Sequence, residues 1–309
     1  MNIVPRYLSV CSGIEAATCA WHPLGWTPVA FAEIEKFPSA VLAHHYPSVP
    51  NWGDMTQFQE WPDATIDLLV GGTPCQSFSV AGLRQGLADP RGNLALTYLA
   101  LADKYRPEWL VWENVPGVLS SGGGRDFGAF LGGLGELGYG WAYRVLDAQY
   151  FGLAQRRKRV FLVANLRSWQ RAAAVLFDAA SLRGDSAPRR EAGENATYNT
   201  APSLTLDQAS QHAVAFDARQ SDVIQYGEKT GPLDTDGHSV GVHHAMQVRR
   251  LTPRECERLQ GFPDDYTLTR YRGKAAADGP RYKALGNSMA VPVMRWIGQR
   301  LQRVSEVTT

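Results

Sequence analysis

The sequence predicts an α/β fold built on a mostly parallel sheet, for two reasons. Six short apolar runs have the composition of buried strands, and helix-like stretches alternate with several of them in the first half of the chain. Apolar strands that alternate with helices favour a parallel sheet covered on both faces, which binds ligands at the carboxyl ends of its strands. The predicted strands are residues 6–13, 27–33, 65–72, 108–115, 143–148 and 159–166, and two of the predicted helices are residues 37–46 and 93–105.

The chain changes character after about residue 166. Residues 184–245 are rich in Gly, Ser, Thr, Asp and His and contain few long apolar runs. This composition predicts a separate, small and irregular domain that leans towards β structure. Its apolar runs at 213–218, 223–227 and 239–248 fit either short strands or loop.

A helical pattern returns in residues 249–263. Thr252 is a plausible N-cap, with Pro253 at the first helical position and Glu255 at the third, so we expect a helix that ends near Gly261. Residues 286–304 predict a final helix that packs back on the first domain.

Composition excludes several classes of protein. The chain has 309 residues, of which 44% are hydrophobic, which is enough for a large core. Its four cysteines (Cys11, Cys19, Cys75 and Cys256) form no CxxC pair or Cys/His metal spacing, so we expect no metal site and a reducing, cytoplasmic setting. We find no signal-peptide pattern and no apolar run of the roughly 20 residues that a membrane span needs.

Charge is unevenly distributed along the chain. Residues 1–165 carry 12 basic and 14 acidic side chains, residues 166–248 carry 7 and 10, and residues 249–309 carry 12 and 6. The basic third part could contact phosphates or form a solvated surface. Because the middle part carries a net negative charge, we expect phosphate contacts to come from other parts of the chain.

A glycine and two acidic residues follow successive segments of the predicted sheet. Gly13 lies in a turn between the first strand and a helix, where backbone N–H groups can meet an anion, although an ordinary strand–helix turn has the same appearance. Glu33 ends the second strand, where an acidic residue can bind ribose hydroxyls. Asp54 follows in the next connection. Together, in this order, they favour a cofactor that contains a nucleoside.

Cys75 lies on a Gly- and Pro-rich loop directly after the strand at 65–72. An accessible cysteine at the carboxyl end of a strand can be a nucleophile if a partner assists it, and an incidental small residue is the alternative. Glu113, at the end of another strand, favours the nucleophile over the incidental residue. A sulfur could add to a ring carbon while the carboxyl group gives a hydrogen bond or a proton to a ring nitrogen. The basic side chains of residues 155–159 fit two interpretations, which are the binding of a phosphate or another substrate anion and a solvated turn.

On these residues the chain resembles the DNA (cytosine-5)-methyltransferases of phages and bacteria. The resemblance covers residues 1–166 and 249–309 and consists of ordered motifs. These are "CSGIEAA", "FAEIEKF", "GDM", "GGTPCQSFS", "DPRGNL", "ENVPG", "QRRKRVFLVA", "RRLTPRECERLQGFP" and "ALGNSMAVPV".

The resemblance implies a Rossmann-like methyltransferase domain that uses S-adenosylmethionine. The target cytosine would be flipped from duplex DNA, Cys75 would attack its C6, and Glu113 would hold or protonate N3. Arg157, and more weakly Arg159, would orient the base and the catalytic loop. Residues 77–93 would form a mobile loop that closes over the base.

The resemblance also implies a domain division and a set of site residues. Residues 1–166, completed by 281–309, would form the catalytic domain, residues 167–248 the target-recognition domain, and residues 249–280 a hinge and support segment. The implied catalytic residues are Cys75, Glu113, Arg157 and Arg159. The implied cofactor contacts are Ser12, Gly13, Ile14, Glu33, Ile34, Asp54, Met55, Pro74, Leu94, Asn287, Ser288 and Met289, and the implied substrate contacts are Gln76, Ser79, Arg91, Asn114, Gln155, Arg249 and Arg250.

The first loop departs from the family pattern. Glu15, Ala16 and Ala17 stand where the family usually has two glycines and an aromatic residue. We expect the side chains of Glu15 and Ala16 to restrict backbone approach and so to affect cofactor affinity more than chemistry.

Three functions follow as hypotheses. The first is site-specific methylation of double-stranded DNA by a monomer associated with the bacterial nucleoid, either as an orphan or with a restriction endonuclease. The second is methylation of RNA, because a tRNA-methylating branch shares these motifs. The third is a catalytically silent nucleic-acid binder, which Glu15 and the acidic middle part motivate.

Overall fold

The computed structural model describes residues 5–74, 94–166, 168–177, 214–217, 224–227, 240–244 and 247–306. Its main element is a six-stranded sheet with the strand order β2-β1-β3-β4-β6-β5. The strands are β1 (Arg6–Val10), β2 (Thr27–Ala32), β3 (Leu68–Gly71), β4 (Trp109–Asn114), β5 (Gly140–Asp147) and β6 (Lys158–Asn165).

The sheet is mostly parallel, as predicted. β2, β1, β3 and β4 run in the same direction, and only β6 is antiparallel to its two neighbours. The register pairs Val10 with Gly71 and Gly71 with Trp112, so the carboxyl ends of β1, β3 and β4 lie side by side. All six predicted strands are present. Most of them are short apolar runs that are buried along their length, whereas the centre of β5, including Tyr143 and Val145, is exposed.

Helices cover both faces of this sheet. One face packs against α1, α5 and α8, and the other packs against α3 and α4. The helices are α1 (Ala16–Trp21), α2 (Lys36–His45), α3 (Leu94–Tyr105), α4 (Arg125–Glu136), α5 (Trp169–Leu176), α6 (Pro253–Gln260), α7 (Asp278–Asn287) and α8 (Val291–Glu306).

The helix α5 lies beyond the predicted end of the catalytic domain at residue 166, yet it packs on the main sheet. Its buried residues join the same core as Ile297 and Leu301 of α8. Arg300 of α8 also donates hydrogen bonds to the carbonyl oxygens of Val175 and Ala174. The layer that covers this face therefore extends to the end of α5.

The predicted helix over 286–304 is wrong in its first part. α7 ends at Asn287, the backbone at Ser288 is extended (φ −75°, ψ 153°), and α8 begins at Val291. Pro292 in the first turn of α8 is compatible with a helix start but not with a helix interior. The break turns Ser288 and Met289 towards the carboxyl ends of the strands. By contrast, the capping box of Thr252 and Glu255 at the start of α6 is confirmed.

A second sheet is built from four short antiparallel strands. Its order is β10-β9-β7-β8, and its strands coincide with the apolar runs that the sequence left open between strand and loop. The strands are β7 (Val214–Asp217), β8 (Ile224–Gly227), β9 (Val240–His244) and β10 (Gln247–Arg250), and a separate hairpin pairs β11 (Arg270–Tyr271) with β12 (Lys274–Ala275). Within the described ranges, the helices are all too short or too polar to cross a bilayer.

The contact between α1 and α8 leaves no room for a side chain at Gly298. Trp21 is fully buried and its Nε1 donates to the carbonyl oxygen of Met294 (2.7 Å). A Cβ at Gly298 would lie 2.5 Å from the same Nε1. We expect Gly298→Ala to lower the free energy of unfolding by about 1–3 kcal/mol, because α8 must move away from α1.

The matched control is Gly132→Ala on the exposed face of α4, where an added Cβ meets no atom within 4 Å. This change should raise the free energy of unfolding by about 1 kcal/mol through helix propensity alone. Urea unfolding followed by circular dichroism measures both values. Equal shifts in the two variants would contradict the packing argument.

Candidate active site

A cleft opens at the carboxyl ends of β1, β3 and β4. The strand order changes direction here, because β2 lies on one side of β1 and β3 lies on the other. Such a point is where open α/β sheets bind ligands. The empty space is about 400 Å³ including the solvent at its mouth. The lining residues are Ser9, Val10, Cys11, Ser12, Gly13, Glu15, Ala16, Ala17, Val70, Gly72, Glu113, Asn287, Ser288 and Met289.

The loop after β1 folds back tightly and is tied to β2. Gly13 and Glu15 both have left-handed backbone, with φ of 56° and 65°. The N–H of Ser12 donates to the carbonyl oxygen of Ala32 (3.2 Å), and the N–H of Gly13 donates to the Glu33 carboxylate (2.7 Å). A Cβ at Gly13 would meet no atom within 4 Å, so the backbone there faces open space.

Glu33 is the best anchored of the predicted cofactor residues. Asn51, which sequence reasoning missed, accepts from the Glu33 N–H and donates to the Glu33 carbonyl oxygen (both 3.0 Å). The Glu33 carboxylate accepts the N–H groups of Gly13 and Glu35 (2.7 Å each). Burial raises its pKa, although these bonds lower it in part. Each carboxylate oxygen can still accept another hydrogen bond, for example from a hydroxyl.

The other cofactor residues predicted in the first half of the chain differ in how far they are buried. Ile34 is 69% exposed beside Glu33, and Asp54 caps a short 3₁₀ turn through the N–H of Thr56 (2.9 Å). Met55 is buried and accepts a hydrogen bond from the Cys11 thiol (3.4 Å). Ile14 is fully buried, so its side chain belongs to the core and not to the cleft surface.

Glu15 turns its carboxylate into the wall of the cleft. It accepts hydrogen bonds from the Ser9 hydroxyl, the Thr18 hydroxyl and the Thr18 N–H (2.8 Å). The residue is 1% exposed, and burial raises the pKa of its carboxyl group against the effect of these bonds. The left-handed backbone and the three donors hold the side chain away from the open space beside Gly13.

Glu113 reaches into the cleft from the end of β4. It is 9% exposed, and its Oε1 lies 3.1 Å from Nε of Arg159. Burial raises its pKa, and the charges of Arg157 and Arg159 lower it in part. The missing side chain of Gly72 makes this position possible, because a Cβ there would lie 2.9 Å from Oε2 of Glu113 and 3.2 Å from Cε of Met289.

The strand β4 also fixes the backbone two residues before Cys75. Asn114 Nδ2 donates to the carbonyl oxygen of Thr73 (3.0 Å), and Trp112 Nε1 donates to the Thr73 hydroxyl (3.0 Å). Thr73 and Trp112 are contacts that sequence reasoning missed. Pro74, which is exposed, and Leu94, which is half-buried, are the described residues on either side of residues 75–93. Cys75, Gln76, Ser79, Arg91 and the predicted closing loop lie outside the described residues.

Arg157 is buried beneath the far wall of the cleft. Its Nη2 donates to the carbonyl oxygens of Gly286 (3.1 Å) and Ser288 (2.7 Å), which flank Asn287. Burial and the neighbouring Arg159 lower its pKa to about 9, against the raising effect of Glu113. Nε and Nη1 of Arg157, and both amide atoms of the fully buried Gln155, have no partner within the described part of the chain.

A buried ion pair supports the same wall from behind. Arg281 of α7 donates to Glu257 (3.1 Å) and to the Thr267 hydroxyl (2.9 Å). The neighbouring Tyr266 donates its hydroxyl hydrogen to the carbonyl oxygen of Ile14 (2.9 Å), so this segment touches the loop after β1. These contacts escaped sequence reasoning because the residues are far apart in the chain.

The two predicted substrate residues Arg249 and Arg250 lie on β10, outside the cleft lining. Arg249 makes a bidentate ion pair with Glu255 (2.8 and 2.7 Å), so its guanidinium already has an anionic partner. Arg250 is exposed. The described residues contain no group of three or more His, Cys, Asp or Glu side chains that could hold a metal ion, and the absence of a metal site stays a prediction.

Comparisons with known proteins agree with this architecture. The chain is 36% identical over 460 residues to the DNA N-6-adenine-methyltransferase of Escherichia phage P1, an alignment that covers 96% of this chain and 61% of that relative. It is 32% identical over 311 residues to the Type II methyltransferase M2.BsuMI of Bacillus subtilis, covering 96% of this chain and 75% of the relative. The chain thus spans less than two thirds of the phage protein.

The fold matches that of a Spodoptera frugiperda DNMT2 mutant, with a TM-score of 0.63 at 17% identity over 96% of this chain and 99% of that one. A family model described as C-5 cytosine-specific DNA methylase matches residues 6–183 and 191–303. Because this match covers most of the sequence, the chain belongs to the family of C-5 cytosine-specific DNA methylases.

Proposed function

We propose that the protein methylates C5 of cytosine in double-stranded DNA, with S-adenosylmethionine as the methyl donor and Cys75 as the nucleophile. The observation that carries this proposal is the position of Glu113. Its carboxyl group is buried in the cleft against Arg159, next to Gly72 of the strand that leads to Cys75. Family membership supports the same assignment.

The cleft residues fit the donor. S-adenosylmethionine would supply an electrophilic methyl group. Glu33 retains lone pairs for ribose hydroxyls, and the open space beside Gly13 admits a ligand against backbone. Ile34 offers an exposed apolar surface beside Glu33. Asp54 and Met55 would lie at the adenine end, and Asn287, Ser288 and Met289 would bound the opposite wall.

Substrate access requires the target base to leave the duplex. Glu113 is only 9% exposed at the bottom of a cleft between strand ends, and a base that remains stacked in DNA cannot reach such a group. We therefore infer that the cytosine is flipped into the cleft. Gln155, Asn114, Gln76, Ser79 and Arg91 are the proposed contacts to the base and its surroundings.

The chemistry needs both sulfur and a carboxyl group. C6 of cytosine is a poor electrophile, and the Cys75 thiolate can add to it and later leave. As the S–C6 bond forms, the electrons of the C5–C6 double bond move into the ring, and Glu113 stabilises them by donating a proton to N3. The electron pair at C5 would then form the bond to the methyl group as the bond from that group to the sulfonium sulfur breaks, which would leave S-adenosylhomocysteine. A base such as water would remove the C5 proton, the electrons of that C–H bond would re-form the C5–C6 double bond as the S–C6 bond breaks, and the N3 proton would return to Glu113.

The two arginines have different tasks in this scheme. Arg159 pairs directly with Glu113 and sets the orientation of its carboxyl group. Arg157 holds the carbonyl oxygens of Gly286 and Ser288, and so positions the wall that carries Asn287 and Met289. Because Arg159 contacts Glu113 and Arg157 does not, we assign Arg159 the larger effect on proton transfer.

We further propose that the part of residues 167–248 that follows α5 recognises the target sequence, and that the protein acts as a monomer in the bacterial cytoplasm at the nucleoid. The ion pair of Arg249 with Glu255 leaves the exposed Arg250 as the better candidate for a phosphate contact on β10. A restriction endonuclease with the same specificity is the expected partner if the protein is not an orphan.

The first prediction concerns the product. Plasmid DNA from a methylation-free host that expresses the protein should contain 5-methylcytosine in one short motif, and the Cys75→Ala variant should leave it unmethylated because no other group activates C6. Nucleoside mass spectrometry identifies the product and bisulfite sequencing locates it.

Other outcomes would contradict the proposal in separate ways. Because N6 methylation of adenine needs no thiolate adduct, N6-methyladenine that persists in Cys75→Ala would point to the activity named for the phage P1 relative. Label in RNA alone would favour the RNA hypothesis. No label in either polymer from folded protein would favour a silent binder.

The second prediction concerns the space beside Glu113. Gly72→Ala would place a Cβ 2.9 Å from Oε2 of Glu113, which is closer than the two atoms can approach, so we expect the carboxyl group to shift away from its position. We expect kcat to fall about 100-fold, the usual effect of a displaced catalytic group, with thermal stability nearly unchanged. Gly117→Ala is the control, since its Cβ would meet only one atom at 4.0 Å. Similar kcat values for the two variants would exclude a positioning role for Gly72.

The third prediction concerns pH. Glu113 acts in its protonated form, so activity should fall as pH rises through its pKa. Burial raises that pKa and the charge of Arg159 lowers it in part, so Arg159→Gln should raise it further and move the alkaline limb of the kcat profile to higher pH. The exposed Arg156→Gln is the control. An alkaline limb that stays in place in Arg159→Gln would refute proton donation by Glu113.

A further inference from the structure

Glu15 places a carboxyl group in the cleft wall, and its hydrogen-bond partners include no cation. Its three hydrogen-bond donors are the Ser9 hydroxyl and the hydroxyl and N–H of Thr18, and all three are neutral. Among the described residues, the influences on the pKa of its carboxyl group are burial and these three hydrogen bonds, with no Lys, Arg or His among them. A buried acid in this situation favours a cationic ligand, because two charges interact strongly where water is excluded.

The groups that face Glu15 from the surrounding elements are also neutral. Tyr7 of β1, Cys19 of α1, Tyr46 after α2 and Tyr266 all sense its charge. Burial raises the pKa of each one, to about 11 for Cys19. Tyrosine and cysteine side chains ionise only to anions, so none of these groups can supply a compensating positive charge.

The position of Glu15 matches the reacting end of the proposed cofactor. Glu15 lines the same cleft as Gly72, Glu113 and Met289, whereas Glu33 lies outside that lining at the end of β2. The methyl group must lie close to the base that Glu113 contacts. The sulfur that carries it is a sulfonium cation in S-adenosylmethionine and a neutral thioether in S-adenosylhomocysteine.

We propose that Glu15 is the counter-charge for the sulfonium, and that it makes the protein select the charged donor over its neutral demethylated product. This inference rests on the proposed function. It assigns Glu15 a specificity role and predicts weak product inhibition, since the favourable charge interaction disappears once the methyl group has been transferred.

The test is calorimetric binding of S-adenosylmethionine and S-adenosylhomocysteine to the full chain. In Glu15→Gln, which keeps an oxygen to accept the Thr18 N–H, the preference for S-adenosylmethionine should fall about tenfold. Glu33→Gln should weaken both ligands in proportion, because both carry the ribose. Ser9→Ala removes one hydrogen bond from Glu15 without removing the charge, and should keep the preference.

A second measurement uses the wild-type protein alone, and so does not depend on the folding of any variant. A bound cation favours the ionised form of Glu15. The affinity for S-adenosylmethionine should therefore rise with pH through the pKa of Glu15, and the affinity for S-adenosylhomocysteine should change less.

The outcomes separate this inference from the function on which it rests. An unchanged preference in Glu15→Gln, or equal pH dependence of the two ligands in the wild type, would overturn the role of Glu15 and leave the methyltransferase assignment intact. A folded wild-type protein that binds neither ligand would overturn both.

Discussion

The buried guanidinium of Arg157 joins the two ends of the catalytic unit. It starts from the loop before β6 and donates to two carbonyl oxygens that lie 129 and 131 residues further along the chain. A buried cation is costly unless hydrogen bonds replace its water, and here the carbonyl oxygens of Gly286 and Ser288 supply two of them. The far wall of the cleft, including Met289, is therefore held in place by Arg157.

Other buried contacts make this junction rigid from both sides. Arg281 and Glu257 fasten α7 to α6, and Tyr266 carries the same segment to the loop after β1 through the carbonyl oxygen of Ile14. On the opposite side, Trp21 fastens α1 to α8. The cleft is consequently enclosed by segments that are remote in sequence, and its shape depends on polar contacts buried between them.

Sequence reasoning found the sheet because buried parallel strands are continuous apolar runs, which are visible without knowledge of their neighbours. It also found Glu33 and Glu113, since each ends a strand. It failed where the position of a residue depends on a distant partner. The break at Ser288 was read as helix, and the pairing of Arg249 with Glu255 was not foreseen.

Glu15 illustrates the same limit. In sequence it appears as an obstacle in a loop that normally contains glycine. In the structure a left-handed backbone and three donors turn its carboxylate into the wall, where its effect is electrostatic.

Three carboxyl groups around one cleft share a raised pKa and yet differ in what surrounds them. Glu33 accepts hydrogen bonds from backbone N–H groups, Glu113 pairs with Arg159 and senses the charge of Arg157, and Glu15 accepts hydrogen bonds from neutral hydroxyls and one N–H. A group already satisfied by N–H donors suits neutral hydroxyl recognition, and one with adjacent arginines suits controlled proton donation. The remaining group has no cation among its hydrogen-bond partners, and so suits the proposed pairing with a cationic ligand. The differences in environment, more than the shared residue type, are therefore what would separate the proposed tasks of ribose binding, proton transfer and recognition of the sulfonium.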